Sequence, residues 1–153
     1  GGRLTVGPAR AAPPWPITEP VPLLLPPSDG ASIRVSPGPH ANLAAPLSTL
    51  PGLLVTLADA MCDATWRVAG GSRAGVRLVP VSRLDAAPAT SGVLASFPVF
   101  PGCLQLTPAL LGLALGVDAP LTGGYPVPLV IDDHDRDQLA RCRLGDVVHF
   151  TLH

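Results

Sequence analysis

The residues best suited to bind a small ligand lie in three turn-like segments of the sequence. "GGSRAGVRL" places Arg73 in a turn and Arg77 on the strand that follows. A guanidinium group can donate two parallel hydrogen bonds to a carboxylate or carbonyl. "PGCLQLTP" puts Gln105 inside an apolar strand, where its amide must find partners in the fold or in a ligand. The third segment, "DAPLTGGYP", gathers five further candidates: Asp118, Thr122, Gly123, Gly124 and Tyr125.

The pair Gly123–Gly124 has two interpretations. Adjacent glycines are typical of the tight turn of a β-hairpin, because glycine adopts positive φ without strain. They also allow backbone N–H groups to approach a small ligand closely. The residues alone do not favour one interpretation over the other.

The acidic run "DDHDRD" begins like a calcium-binding loop. Such a loop needs glycine at its sixth position and glutamate at its twelfth, and these positions hold Gln138 and Leu144. The sequence therefore predicts a solvated helix N-terminus here, where carboxylates interact favourably with the helix dipole.

The four histidines are scattered, and no two have the spacing of a zinc motif. His40, in "SPGPH", is the only one on a loop flanked by strand signals, which makes it the histidine candidate for a site. The sequence contains neither a G-x-S-x-G nucleophile motif nor a nucleotide-binding P-loop. Lysine is absent, so lysine-dependent covalent chemistry is excluded for this chain.

Cys62, Cys103 and Cys142 are odd in number and widely spaced. This spacing favours three separate thiols in a reducing cytoplasm over disulfides or a metal site. A formal net charge of -1 gives no reason to expect nucleic acid or an anionic membrane as a partner. No signal peptide or membrane-spanning run is visible.

Twenty prolines and sixteen glycines leave little room for long helices. The patterns predict a short strand at residues 3–7 and a proline-rich linker at residues 8–30. A strand in "SIRVSPGPH" and about seven further short strands at close spacing are predicted after the linker. Short helices are predicted around residues 53–61 and 135–142, the second capped by Asp133 or Asp135. This pattern predicts a mainly β fold, an all-β barrel or sandwich, at residues 31–153. The strands are expected in these segments: "SIRVSPGPH", "ATWRVAG", "AGVRLVPV", "GVLASFPVF", "GCLQLTP", "LLGLALGV", "YPVPLVI" and "DVVHFTLH".

Taken in order, several segments resemble the allophanate hydrolase subunit 2 family. This family includes the KipA proteins, the C-type subunit of 5-oxoprolinase and part of the carboxyltransferase domain of urea carboxylase. The resemblance covers the C-terminal half of the family's chain, since the family chain is about twice as long. It rests on "SRAGVRL", "PGCLQL", "DAPLTGGYP" and "LGDVVHF", with "SIRVSPGPH" as a fifth segment.

The resemblance implies a cyclophilin-like β-barrel that acts with a partner resembling KipI or allophanate hydrolase subunit 1. The implied function is that of the C-type subunit of 5-oxoprolinase, in an ATP-dependent complex that acts on a small cyclic amide and could contain a third protein. The alternatives are half of a biotin-dependent carboxyltransferase, or a KipA-like regulator that binds a kinase inhibitor without turnover. No cofactor is expected on this chain alone, ATP or biotin would enter through the complex, and the isolated chain is expected to be inactive. The implied substrate-binding residues are Arg73, Gln105, Asp118, Thr122, Gly123, Gly124 and Tyr125.

Overall fold

A computed structural model describes residues 30–46, 54–81, 84 and 94–153 of the chain. The strand and linker predicted for residues 1–29 lie outside these described residues. The described elements are, in chain order, β1 (Ala31–Pro37), β2 (Ala44–Pro46), β3 (Leu54–Thr56), α1 (Leu57–Asp63), β4 (Trp66–Ser72), β5 (Gly75–Pro80), β6 (Phe97–Pro98), β7 (Cys103–Leu106), β8 (Gly112–Leu115), β9 (Thr122–Gly123), β10 (Leu129–Ile131), α2 (Asp133–Arg141) and β11 (Val147–Leu152).

Seven strands form a closed barrel in the order β1-β10-β7-β8-β5-β4-β11. Neighbouring strands are antiparallel except β1 and β11, which pair in parallel and close the ring. Two two-stranded ribbons, β2-β3 and β6-β9, lie outside this ring. The predicted mainly β fold is confirmed as a cyclophilin-like barrel with two short helices in the described residues.

The barrel interior is filled by apolar side chains that alternate with outward-facing residues along each strand. On β1, for example, Ala31, Ile33 and Val35 are fully buried, whereas the intervening side chains face outward. Trp66 is the largest fully buried side chain, and its indole N–H donates to the Met61 carbonyl at 2.9 Å. This bond satisfies the polar atom of the indole and ties α1 to β4.

Three predicted boundaries were wrong. Helix α1 begins at Leu57 rather than near residue 53, because β3 occupies Leu54–Thr56 and the Thr56 hydroxyl caps the helix by accepting the Asp59 N–H at 3.1 Å. In the strand predicted in "GVLASFPVF", the described residues 94–100 form a strand only at Phe97–Pro98, where they pair with β9. Helix α2 begins at Asp133, its N-cap residue is Asp132, and no side-chain hydrogen bond caps it.

Candidate functional site

The segment "TGGYP" is not a hairpin turn. Thr122 and Gly123 form β9 and pair with β6, and neither Gly123 nor Gly124 is among the described glycines with positive φ. The primed turns of two-residue hairpins need positive φ, so the hairpin interpretation was wrong. The end of the segment lies beside β7 and extends its pairing with β10, since the Leu106 N–H donates to the Pro126 carbonyl at 3.0 Å.

Gln105 lies beneath this segment on the outer face of the barrel. Its neighbours Leu104 and Leu106 point into the barrel core, so alternation along β7 turns Gln105 outward. The residue is nevertheless only 5% exposed, because residues of the β6-β9 ribbon and the following loop cover it. Its one hydrogen bond among the described residues joins Nε2 to the Tyr125 carbonyl at 3.5 Å, the long limit for such a bond.

Gly123 has no side chain for a steric reason. A Cβ atom built on this residue would overlap Gln105 Nε2 and would lie 3.4 Å from a methyl group of Val99. The backbone of Gly123 and the Gln105 amide are therefore in direct contact. At Gly123 the close backbone approach is to the Gln105 side chain, and the approach of this backbone to a small ligand stays a prediction.

An apolar layer lies beside the Gln105 amide. Val99, Cys103 and Val127 form a buried cluster separate from the barrel core, with Phe97 packed against it. Burial raises the pKa of the Cys103 thiol, so this thiol stays protonated at neutral pH. The amide of Gln105 therefore lies in a largely apolar setting, in which an added hydrogen bond would be strong.

His40 reaches the same layer from the loop after β1. Its Nδ1 accepts the Val127 N–H at 3.1 Å, and the backbone N–H of His40 donates to the Val127 carbonyl at the same distance. The imidazole ring lies 4.8 Å from the Phe97 ring, tilted by 52°. His40 is thus fixed by both backbone and ring contacts.

The remaining residues of the predicted segment are more accessible. Thr122 is exposed, and Gly124 and Tyr125 are half-buried. The Gly124 carbonyl accepts the Leu94 N–H at 2.7 Å, which anchors the start of the described 94–100 segment. Together with Gln105, these residues form one contiguous group.

A second group joins Arg73, at the tip of the β4-β5 hairpin, to Asp118, in the loop after β8. The Arg73 guanidinium binds the Asp118 carboxylate through two bonds, with Nε–Oδ2 at 2.5 Å and Nη2–Oδ1 at 3.1 Å. These bonds raise the pKa of Arg73. Both side chains are exposed, Arg73 by 79%, so the ion pair is solvated.

Arg73 also lies at a cavity of about 720 Å³ between the barrel wall and α2. The lining combines apolar residues such as Val68, Ala114 and Leu139 with the backbone of Gly70 and Gly71. Gln105 and the residues 122–125 do not line it. The structure therefore divides the predicted site residues between two surfaces.

The acidic run is less solvated than the sequence predicts. Asp135 is buried, its side chain only 10% exposed, and it accepts three hydrogen bonds from Arg34: the backbone N–H at 2.7 Å, Nε at 3.0 Å and Nη2 at 2.9 Å. The side-chain bonds to Arg34 hold the pKa of this carboxyl below its usual value. The prediction of a solvated helix start holds for the exposed Asp133, which pairs with Arg136, and was wrong for Asp135.

Other site types find no support among the described residues. They contain no group of three His, Cys, Asp or Glu side chains that could hold a metal ion. All three cysteines are free, and burial raises the pKa of the Cys62 thiol to about 11. Within the part of the chain described, no helix is long and apolar enough to cross a membrane.

Comparisons with known proteins place this geometry in a family. A family model described as "Carboxyltransferase domain, subdomain A and B" matches residues 1–152. A search of curated proteins finds no match. Two crystal structures of TTHA0988 resemble the chain at 29% and 28% identity, each with a TM-score of 0.58, over 96% and 98% of this chain.

The chain covers only 24% and 25% of those TTHA0988 chains, so it spans about a quarter of their length. The urea amidolyase of K. lactis is similar at 19% identity with a TM-score of 0.61, over 79% of this chain and 7% of that one, which shows a shared fold. Because the family model matches nearly every residue, the chain belongs to the carboxyltransferase domain family, subdomains A and B.

Proposed function

We propose that this chain supplies the amide-binding surface of a 5-oxoprolinase, as its C-type subunit. In such a complex, ATP-dependent addition of water across the C–N bond of the 5-oxoproline lactam yields glutamate. The observation that carries the proposal is the buried Gln105 amide, which contacts the Gly123 backbone and has one long hydrogen bond among the described residues.

A carboxamide side chain is complementary to an amide substrate. Gln105 offers an N–H donor and a carbonyl acceptor in one plane, and a lactam presents a carbonyl and an N–H on adjacent atoms. The absence of a side chain at Gly123 lets the Gln105 amide lie against the backbone, which fixes the position of this amide. In this apolar layer, positioned donors act on the substrate without competition from water.

The proposal assigns no nucleophile to this chain. The buried thiols with raised pKa values are poor nucleophiles at neutral pH. The chain contributes binding and orientation, which lower the barrier of a reaction whose other reactants come from elsewhere. In this proposal the assembly operates in the cytoplasm. It uses ATP and contains a KipI-like partner, with a third protein where one exists.

A second candidate is carboxyl transfer from carboxybiotin to urea or a related amide. Family membership supports it, because the family is described by carboxyltransferase domains. The same Gln105 surface would serve, since urea also presents a carbonyl beside N–H groups. The third candidate, which the test below also addresses, is a KipA-like regulator that binds a kinase inhibitor without turnover.

The test uses the full-length protein purified together with its partner subunits. Glutamate release from 5-oxoproline is measured with and without ATP, and carboxylation of urea is measured with a biotinylated carrier protein. We expect ATP-dependent glutamate release, a rate at least about tenfold lower for Gln105→Met, and no turnover by the isolated chain. Gly70→Ala is the matched control, because a Cβ there meets no atom within 4 Å.

Each outcome separates the candidates. Carboxylation of urea without glutamate release would replace the first candidate with the second. Tight binding of the partner protein, with neither reaction detected, would support the third candidate, a regulator without turnover. Full activity of Gln105→Met in either reaction would contradict the assignment of the amide site.

A further inference from the structure

The proton of the His40 ring has a defined position. The Val127 N–H is a backbone donor, so the Nδ1 that receives it must carry a lone pair. A neutral imidazole has one protonated nitrogen, and in His40 this nitrogen is therefore Nε2. The fold thus presents an N–H donor on a half-buried aromatic ring.

The ring is also held in place. Two backbone bonds join the loop of His40 to the segment before β10: His40 N–H to the Val127 carbonyl at 3.1 Å, and Gly38 N–H to the Pro128 carbonyl at 2.7 Å. A Cβ at Gly38 would overlap the Val127 carbonyl oxygen, so the loop and the segment lie in direct contact. Phe97 supports one face of the ring.

One short stretch positions both His40 and Gln105. The Tyr125 carbonyl receives the Gln105 amide, and two residues later the Val127 N–H binds the imidazole. Phe97 connects the same two residues by a second route. Its ring contacts the His40 ring, and its backbone pairs with Gly123, which contacts Gln105. The two polar side chains therefore belong to one layer.

Both side chains retain unused hydrogen-bonding atoms. Among the described residues, neither Nε2 of His40 nor Oε1 of Gln105 has a hydrogen-bond partner. A buried polar atom without a partner is unfavourable, so Oε1 of the buried Gln105 favours a ligand group that can donate to it. One atom is a donor and the other an acceptor.

Building on the proposed function, we propose that His40 is a substrate-binding residue of the same amide site. Its Nε2–H donates to the carbonyl oxygen of a small amide, and Oε1 of Gln105 accepts the N–H of that amide. A neutral imidazole polarises the carbonyl without transferring its proton, so the ligand class is an uncharged amide group, as in a lactam or urea.

Two substitutions separate the role of each ring nitrogen. His40→Asn places an acceptor near the position of Nδ1 and removes the Nε2 donor, whereas His40→Gln places an amide near Nε2 and removes the Nδ1 acceptor. A purely structural histidine predicts that only His40→Gln does harm. His149→Asn is the control, because His149 lies exposed on β11.

The measurements use the full-length protein with its partner subunits, and 5-oxoproline and urea as probes. We expect His40→Asn to keep the thermal unfolding midpoint and to bind the probe about tenfold more weakly, equivalent to about 1.4 kcal/mol. We expect His40→Gln to unfold at lower temperature and to lose less affinity. In the wild type, the ¹⁵N resonance of His40 Nε2 should shift when the probe binds, while that of His149 stays in place.

The outcomes distinguish this inference from the proposed function. Unchanged probe affinity in His40→Asn, together with weaker binding in Gln105→Met, would overturn the role of His40 and leave the amide site standing. A probe that binds through His40 without being converted would support the inference and contradict the proposed reaction. No binding of either probe to the wild-type assembly would overturn both.

Discussion

Gly123 leaves room for the Gln105 amide because it carries no side chain. We expect Gly123→Ala to displace the Gln105 amide, because the added Cβ overlaps Nε2. Because Nε2 ends a flexible side chain that can shift, we expect the low end of the overpacking cost, about 1 kcal/mol, measurable as a lower free energy of unfolding in urea. It should also weaken binding of 5-oxoproline.

Gly70→Ala is the matched control for this substitution. It adds the same methyl group to another strand at a position with open space, so we expect no loss of stability. Equal effects of the two substitutions would contradict the steric explanation.

The ion pair of Arg73 and Asp118 contributes little to the stability of the fold. Both groups are exposed, so water screens their attraction. We expect Arg73→Met to leave the thermal unfolding midpoint unchanged at both low and high salt. If the pair contacts the partner protein, the affinity between the two proteins should fall. A clear drop in the unfolding midpoint with unchanged affinity would contradict this view.

The candidate site was predictable from the sequence only in part. Gln105 stood out because a carboxamide interrupts an apolar strand, and its burial in the outer layer gives that signal a physical cause. The contact of Gln105 with Gly123 was not predictable, since it depends on how the β6-β9 ribbon covers β7. The pair Arg34–Asp135 was missed for the same reason, as its members are 101 positions apart.

At the scale of elements, α2 is attached to β1 through the Asp135 carboxylate. The pKa of this carboxyl is lowered in the folded state, so the bond contributes stability above the unfolded value of about 3.9 and loses it as the pH falls through the lower, folded value. We expect Asp135→Asn to lower the free energy of unfolding at neutral pH by about 1 kcal/mol, since the half-exposed Arg34 partly screens the pair. Urea unfolding across the acid range should show the difference from wild type shrink as the pH falls.

Thr107→Val provides the control for this pH dependence. The Thr107 hydroxyl accepts the Leu111 N–H at 3.0 Å, and no carboxylate takes part in this bond. We expect this variant to be destabilised by about 1 kcal/mol at every pH tested. An Asp135→Asn deficit that stays constant down to about pH 2, well below the unfolded pKa, would show that the carboxylate charge is not the cause.

Short elements explain where the strand and helix predictions were wrong. Strands of two or three residues such as β3 and β9 carry too few side chains for an alternating pattern to be read. The longer strands β1, β4, β5 and β11 were predicted correctly, and burial alternates most clearly along β1.

At the scale of the whole molecule, Cys103 reports on the integrity of the barrel's outer layer. It is 2% exposed and its thiol pKa is raised by burial, so iodoacetamide should modify it far more slowly than a free cysteine near pH 8. In denaturing urea the rate should rise to that of a model peptide. Mass spectrometry of the peptide that contains Cys103 measures both rates, and equally fast modification in native buffer would contradict the described packing.

The seven strands of the barrel were predictable as segments, but their order in the ring was not. Nothing local in β10 indicates that it lies between β1 and β7, because that neighbourhood follows from the closure of the sheet. The parallel pairing of β1 with β11 was not predictable from the sequence for the same reason.

That parallel pairing has a consequence for the synthesis of the protein. The hydroxyls of Ser32 and Thr151 meet at 3.3 Å although 119 positions separate them, so β1 is made long before its partner strand β11. While the ribosome is still adding β11, both β1 and β4 have an edge without its final neighbour. Nascent chains stalled before β11 should therefore expose strand edges that favour aggregation, and release of the last strand is the step that completes the ring.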